Sequence, residues 1–143
     1  MSPANPVVVT AAVIERDGSF LVTRRPEGTH LAGHWEFPGG KCEGVETPES
    51  CLRRELREEL DVEATVGEEM FRTRYRYDTS PGGLSVELRF FRCTLSGAPR
   101  PLLGQQMRWV PRRELSTLAF PPADAEFIAQ LSGGRRKAVG GRR

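Results

Sequence analysis

The chain has 143 residues, 38% of them hydrophobic and 28% charged, a formal net charge of +2 and a mean hydropathy of -0.45. That is the size of one ordinary domain and the composition of a globular protein, which excludes a disordered chain. Apolar runs such as Val7–Val9 and Ala11–Ile14 fall far short of the roughly 18–20 residues a spanning helix needs, and no basic stretch leads into an apolar one near Met1.

The spacing predicts a hairpin first, with a β-branched and Ala-rich run from Pro6 to Ile14, turn residues Arg16-Asp17-Gly18-Ser19, and a second strand at Phe20–Thr23. Residues 26–34 lack periodicity and read as a loop, before a short strand Trp35–Phe37 closed by Pro38-Gly39-Gly40. Thr47 is placed to cap a helix that starts at Pro48, and Leu52, Leu56 and Leu60 give that helix one apolar stripe. Two long strands follow at Met70–Tyr77 and Leu84–Leu95, joined by a turn at Ser80-Pro81-Gly82-Gly83. A strand at Met107–Val110, a helical turn at Pro111–Leu115 and a helix at Ala123–Leu131 complete the body.

The last nine residues hold five basic groups and no acid, so residues 1–132 read as the domain and 133–143 as a solvated, basic Gly/Arg-rich tail. Without those nine residues the balance is 16 basic against 19 acidic groups, which argues against a nucleic-acid partner. Three cysteines, Cys42, Cys51 and Cys93, are an odd number without CxxC spacing. That argues against a disulfide framework and a zinc site, and suits a reducing cytoplasm.

Glu55, Glu58 and Glu59 stand at i, i+3 and i+4, within an arc of about 100° on the helix. Like charges at those spacings destabilise a helix, so the cluster calls for a cation, and carboxylates without His or thiolate suit Mg²⁺ or Mn²⁺. The solvated alternative is neutralisation by Arg53, Arg54 and Arg57. The preceding loop, with Gly39, Gly40, Lys41, Glu43 and Glu46, brings backbone groups, a cation and two more acids beside the cluster.

Read together, Gly40-x5-Glu46-x7-Arg54-Glu55-Leu56-x-Glu58-Glu59-x-Asp61-Val62 resembles the Nudix box. The segments Leu21–Arg25, Trp35–Lys41, Glu46–Glu49 and Phe120–Asp124 are similar to the MutT branch of that family, in the same order. Asp61 departs from the usual glycine at a helix C-cap, where αL geometry tolerates Asp. The resemblance implies a single-domain α/β fold, the Nudix α/β/α sandwich with a mixed β-sheet, and Mg²⁺-dependent hydrolysis of a nucleoside triphosphate to monophosphate and pyrophosphate.

By the same resemblance, Glu55, Glu58, Glu59 and the Gly39 carbonyl would hold Mg²⁺, with Mn²⁺ as a substitute, and Glu55 would serve as a ligand or as the base. Arg54, paired to Glu46, would orient the acids, Lys41 would stabilise phosphate charge, and Gly40 with Glu46 would support the loop–helix junction. Arg25, Phe37 and Asp124 would line the nucleotide pocket. Asp124 stands where MutT has an asparagine, and as a carboxylate it would accept from a base edge or complement the following helix dipole.

Several relatives place a further acid shortly before a tryptophan, whereas no acid lies between Glu87 and Glu114 here. The implied substrates are 8-oxo-dGTP, for nucleotide-pool sanitation, or a CTP-like pyrimidine nucleotide. The alternative from another class is a non-catalytic nucleotide-binding module. The implied state is a cytoplasmic monomer or homodimer acting on a small nucleotide, without membrane contact.

Overall fold

The computed structural model describes residues 6–77 and 83–133. β1 (Val7–Arg16) and β2 (Ser19–Arg24) form the opening hairpin, joined by Asp17 and Gly18 at φ 52° and 80°. Two left-handed residues match the twist of the flanking strands, and Gly18 takes that conformation without steric cost. β3 (Trp35–Glu36), β4 (Gly39–Lys41) and helix α1 (Pro48–Leu60) follow, then β5 (Glu63–Tyr77) and β6 (Leu84–Ser96). β7 (Met107–Pro111), a 3-10 turn at Arg112–Thr117, a second at Pro122–Asp124 and helix α2 (Ala125–Leu131) end the described chain.

The expected elements are present with shifted ends. β5 begins at Glu63 rather than Met70, because Ala64 and Val66 already alternate inward ahead of a bulge at Val66–Phe71. α2 is shorter than Ala123–Leu131, since Pro121 and Pro122 start a 3-10 turn ahead of it. The turn expected at 80–83 lies mostly outside the described residues, as do residues 134–143 of the basic tail.

β1 organises the seven-stranded mixed sheet. It runs parallel to β6, Val7 opposite Val86 through Ile14 opposite Cys93, and antiparallel to β4, where Ala11 faces Gly39. β6 pairs antiparallel with β5, while β2 carries β3 and β7 on its edges. Alternate residues of the strands feed two cores. Ala12, Ile14, Leu21, Phe91 and Cys93 meet Leu52, Leu56 and Leu60 of α1 on one face. Ala11, Val13, Phe20, Val22 and Phe90 meet Phe127, Ile128 and Leu131 of α2 on the other. The α/β/α sandwich is therefore as expected, and no described helix is long and apolar enough to cross a membrane.

One expectation is overturned. Cys42 and Cys51 are joined as a disulfide, with their Cα atoms 5.2 Å apart. Spacing alone hides the pair, because the loop 43–47 folds the end of β4 back onto the first turn of α1. Cys93 is buried as a free thiol, which burial pushes up to about 12.

Candidate active site

α1 is pinned at both ends. The Thr47 hydroxyl accepts the Ser50 N–H at 3.1 Å, and Asp61 adopts the left-handed cap (φ 53°, ψ 46°) while its N–H returns to the Arg57 carbonyl at 3.1 Å. The Leu52, Leu56 and Leu60 stripe is fully buried and fixes the rotation of the helix. That rotation turns Glu55 and Glu59 into a cavity of about 380 Å³ lined also by Gly39, Gly40 and Lys41.

Arg54 ties loop to helix. Its Nε and Nη2 donate to the two Glu46 carboxylate oxygens at 2.6 and 2.9 Å, and Nη1 donates to Glu55 at 3.0 Å and Glu58 at 3.2 Å. Nη2 also reaches the Lys41 carbonyl at 3.2 Å. The guanidinium holds Glu46 down at about 2, and Glu46 in turn raises Arg54, so both stay charged across the neutral range.

The three box glutamates do not act as one face. Glu55 and Glu59 line the cavity, whereas Glu58 is 60% exposed and bonded to Arg54. The reason is angular: at about 100° per residue Glu58 lies 100° from Glu59, and Arg54 one turn earlier captures it. Glu55 packs so closely on β4 that a Cβ at Gly40 would overlap its carboxylate. Glu59 is pushed well above the usual carboxylate range, first by burial, then by sharing a hydrogen bond with Glu55 and by the charges of Glu55 and Glu36, against a Gly39 N–H that favours the anion.

Glu36 is the residue that sequence reasoning missed. It lies on β3 between the buried rings of Trp35 and Phe37, and it lines the same cavity as Glu55 and Glu59. Burial raises its pKa, the Arg25 ion pair opposes that, and Glu55 adds to it. An acid between two core aromatics on a strand was the available signal. Among the described residues no three His, Cys, Asp or Glu side chains form a finished metal cage. The donor set nevertheless fits a hard dication: carboxylate oxygens of Glu55 and Glu59, mutually repelling and drawn together, beside the glycine backbone of β4.

Arg25, Phe37 and Asp124 line this cavity too. Arg25 is committed within the protein, donating to the His30 carbonyl at 2.6 Å and to Glu36 at 2.8 Å. Phe37 is 4% exposed and stacks on Phe120 with ring centroids 5.5 Å apart. Asp124 is 5% exposed and precedes α2 without making a side-chain cap hydrogen bond. Burial, then Glu36, raises it to about 7.

A family model for the NUDIX domain matches residues 9–130. The chain is 36% identical over 129 residues to the 8-oxo-dGTP diphosphatase of Haemophilus influenzae, covering 87% of this chain and 90% of that one. It is 56% identical over 62 residues to the CTP pyrophosphohydrolase of Escherichia coli, a match spanning 43% of this chain and 46% of that protein. Among solved structures it superposes on the E. coli ORF135 protein with a TM-score of 0.78 at 33% identity, covering 94% of this chain and 98% of the other.

The chain belongs to the Nudix family. It is a Nudix hydrolase, and hydrolases of this family generally use divalent metal ions. The matched Nudix span starts in β1 and ends in α2, so every candidate residue from Arg25 to Asp124 falls inside it. Where some Nudix relatives place an acid ahead of the tryptophan, Gln105 here donates to the Glu59 carbonyl at 3.2 Å and closes the C-terminal end of α1.

Proposed function

We infer that the chain hydrolyses 8-oxo-dGTP, or a closely related (deoxy)nucleoside triphosphate, to the monophosphate and pyrophosphate, and so serves the upkeep of the intracellular nucleotide pool. The observation that carries this reading is the paired Glu55 and Glu59 carboxylates in a cavity that also reaches Arg25, Phe37 and Asp124. The cavity lies within the usual size range for small-molecule sites.

Glu55 and Glu59, with the Gly39 carbonyl, would hold Mg²⁺ or Mn²⁺, and Glu58 would join them on leaving Arg54. A divalent ion bound there supplies neutralisation of the triphosphate charge and a polarised water. Arg54 keeps Glu55 oriented against Gly40 through the Glu46 clamp. Lys41, at the exposed end of β4, faces departing phosphate charge. Glu55 or Glu59 takes the proton of the attacking water, and Phe37 and Asp124 hold the base.

A second reading, a CTP-type pyrophosphohydrolase, is supported by the 56% identity over 62 residues to the E. coli enzyme of that name. A carboxylate at Asp124 also suits an edge that donates, such as the cytosine amine.

The test is a product-resolved assay with Mg²⁺ on 8-oxo-dGTP, dGTP, CTP, dCTP, 5-methyl-dCTP and ADP-ribose, on the wild-type chain and on Glu59→Gln. The expected result is preferred turnover of 8-oxo-dGTP with pyrophosphate released, and a loss of about 10²-fold or more in kcat for the variant. Preference for a cytosine nucleotide would install the second reading. Binding without turnover of any substrate would make the chain a nucleotide-binding module.

A further inference from the structure

The disulfide sits at the head of the glutamate stripe. Cys51, Glu55 and Glu59 stand at i, i+4 and i+8 on α1, so one sulfur and the two cavity carboxylates share a side of the helix. β4 runs beside that side. Glu55 presses on Gly40, the Gly39 N–H favours the Glu59 anion, and Cys51 is bonded to Cys42 just past the end of the strand. The Cys42 N–H donates to the Val8 carbonyl at 2.9 Å, so Cys42 is tied to the central strand as well as to the helix. Arg54 reaches the same segment through the Lys41 carbonyl, but by a hydrogen bond. The sulfur bridge is the covalent tie, and the one that a change of redox state opens.

The two sulfurs are unequally accessible. Cys51 is fully buried, its Sγ 3.4 Å from the Thr10 hydroxyl and 3.8 Å from the Gly40 carbonyl oxygen. Cys42 is half-buried and lines a second cleft, of about 400 Å³, with Lys41, Glu46, Pro48 and Arg89. A small thiol therefore reaches Cys42 and not Cys51. Its thiolate attacks the Cys42 sulfur, the S–S bond breaks, and Cys51 leaves as a thiolate to which the Thr10 hydroxyl donates until a solvent proton arrives. A second thiolate attacks the reductant's sulfur in the mixed disulfide and frees Cys42. Two electrons and two protons have then been taken up, and the reductant departs as its own disulfide. A hydroperoxide reverses the change. The Cys42 thiolate attacks the O–O bond, forming a sulfenic acid and releasing, with a solvent proton, water or an alcohol; the Cys51 thiol then attacks that sulfur and expels water.

We propose that Cys42 and Cys51 form a reversible thiol–disulfide site that takes small thiols and hydroperoxides through this cleft and, by tying β4 to the head of the glutamate stripe, sets how tightly the cavity binds a divalent cation. Closed, the link holds the Gly39–Lys41 backbone at a fixed spacing from Glu55 and Glu59, so that two mutually repelling carboxylates stay preorganised. Opened, it leaves the end of β4 to the hydrogen bonds of Arg54, and the Cys51 thiol donates to the Gly40 carbonyl. The closed form is the tighter binder. The proposal rests on the reading of Glu55, Glu59 and the Gly39 carbonyl as the metal site. Under the proposed activity it has a use: oxidants that close the link also create 8-oxoguanine, so metal binding strengthens as the substrate accumulates.

The test uses the full chain, treated with hydrogen peroxide or reduced with dithiothreitol and desalted without oxygen, alongside Cys42→Ser under both treatments. Thiol titration in denaturant fixes the state of the wild type, one thiol when closed and three when open. The first measurement is Mn²⁺ binding by electron paramagnetic resonance without nucleotide, and the second is the Mg²⁺ dependence of turnover. The closed chain is expected to bind Mn²⁺ about tenfold more tightly than the open one, with Cys42→Ser matching the open chain after either treatment. The Mg²⁺ concentration for half-maximal rate is expected to rise by the same factor on opening, while kcat at saturating Mg²⁺ stays within about threefold. Peroxide added back to the reduced wild type restores the affinity.

If closed and open chains, so counted, bind Mn²⁺ alike, the link is only structural and the proposal is overturned. Three thiols remaining after peroxide would overturn it as well, because no link closes. If neither form binds Mn²⁺, the metal-site reading itself fails and takes the proposal with it. Far-UV circular dichroism separates a loosened site from an unfolded chain: an unchanged spectrum is expected on opening, and a lost helical signal would overturn the assignment.

Discussion

Asp124 titrates near 7 because burial, and then the neighbouring Glu36, penalise its charged form, and this gives it a measurable effect on stability. A carboxyl whose folded pKa stands above its unfolded value of 3.8 favours folding when protonated. That contribution is complete below the unfolded pKa and is lost as pH rises through the folded one. Asp124→Asn removes the titration. Its Tm relative to the wild type is expected to climb between about pH 4 and pH 7 and to level off above, and a difference that stays constant over that range would refute the assignment. Side chains differ in how far spacing reveals them. Arg54, Glu55, Glu59 and their link to Glu46 were readable from the box, since helix geometry and one loop closure place them. The outward turn of Glu58 and the presence of Glu36 were not, because the first depends on which acid Arg54 captures and the second on where β3 meets the cavity.

α1 shows how an element is held by its surroundings. The threonine cap, the proline start and the leucine stripe were all plain in the sequence, and each appears as expected. The covalent link from Cys42 to Cys51 was missed, because counting cysteines says nothing about a loop that returns on itself. In the chain-entropy account, closing so short a loop stabilises by about 2–3 kcal/mol. Reduction with dithiothreitol is therefore expected to lower Tm by several degrees, and Cys42→Ser to show the lower value with or without the reductant. Equal melting in both states, with three titratable thiols in the unreduced chain, would show that the link does not form in solution. β5 was placed too short for a different reason: the bulge between Val66 and Phe71 breaks the period-two pattern, and the pattern was the signal.

Across the whole molecule, two cores lie back to back on one sheet, and Phe127 is central to the core under α2. Its ring meets Phe90 at 4.4 Å, Phe71 at 5.2 Å and Phe37 at 6.0 Å. Phe127→Ala is expected to cost about 3–5 kcal/mol in urea unfolding, and a loss below about 1 kcal/mol would show that α2 is not needed to close that core. The mixed sandwich was readable from the order of its elements together with the box, but not the pairing of β1 with β6 alongside. That pairing also governs how the chain comes to be folded. The partner of Val7 is Val86 and that of Ile14 is Cys93, so one edge of an apolar central strand waits unpaired until most of the polypeptide has been made. On the ribosome, β1 emerges early with its hairpin partner in register only at Glu15 and Arg16, leaving the rest of its hydrophobic length open to whatever strand arrives first. Folding yield should thus be set by how quickly synthesis delivers β6, and a pause in translation between β1 and β6 should raise the aggregated fraction.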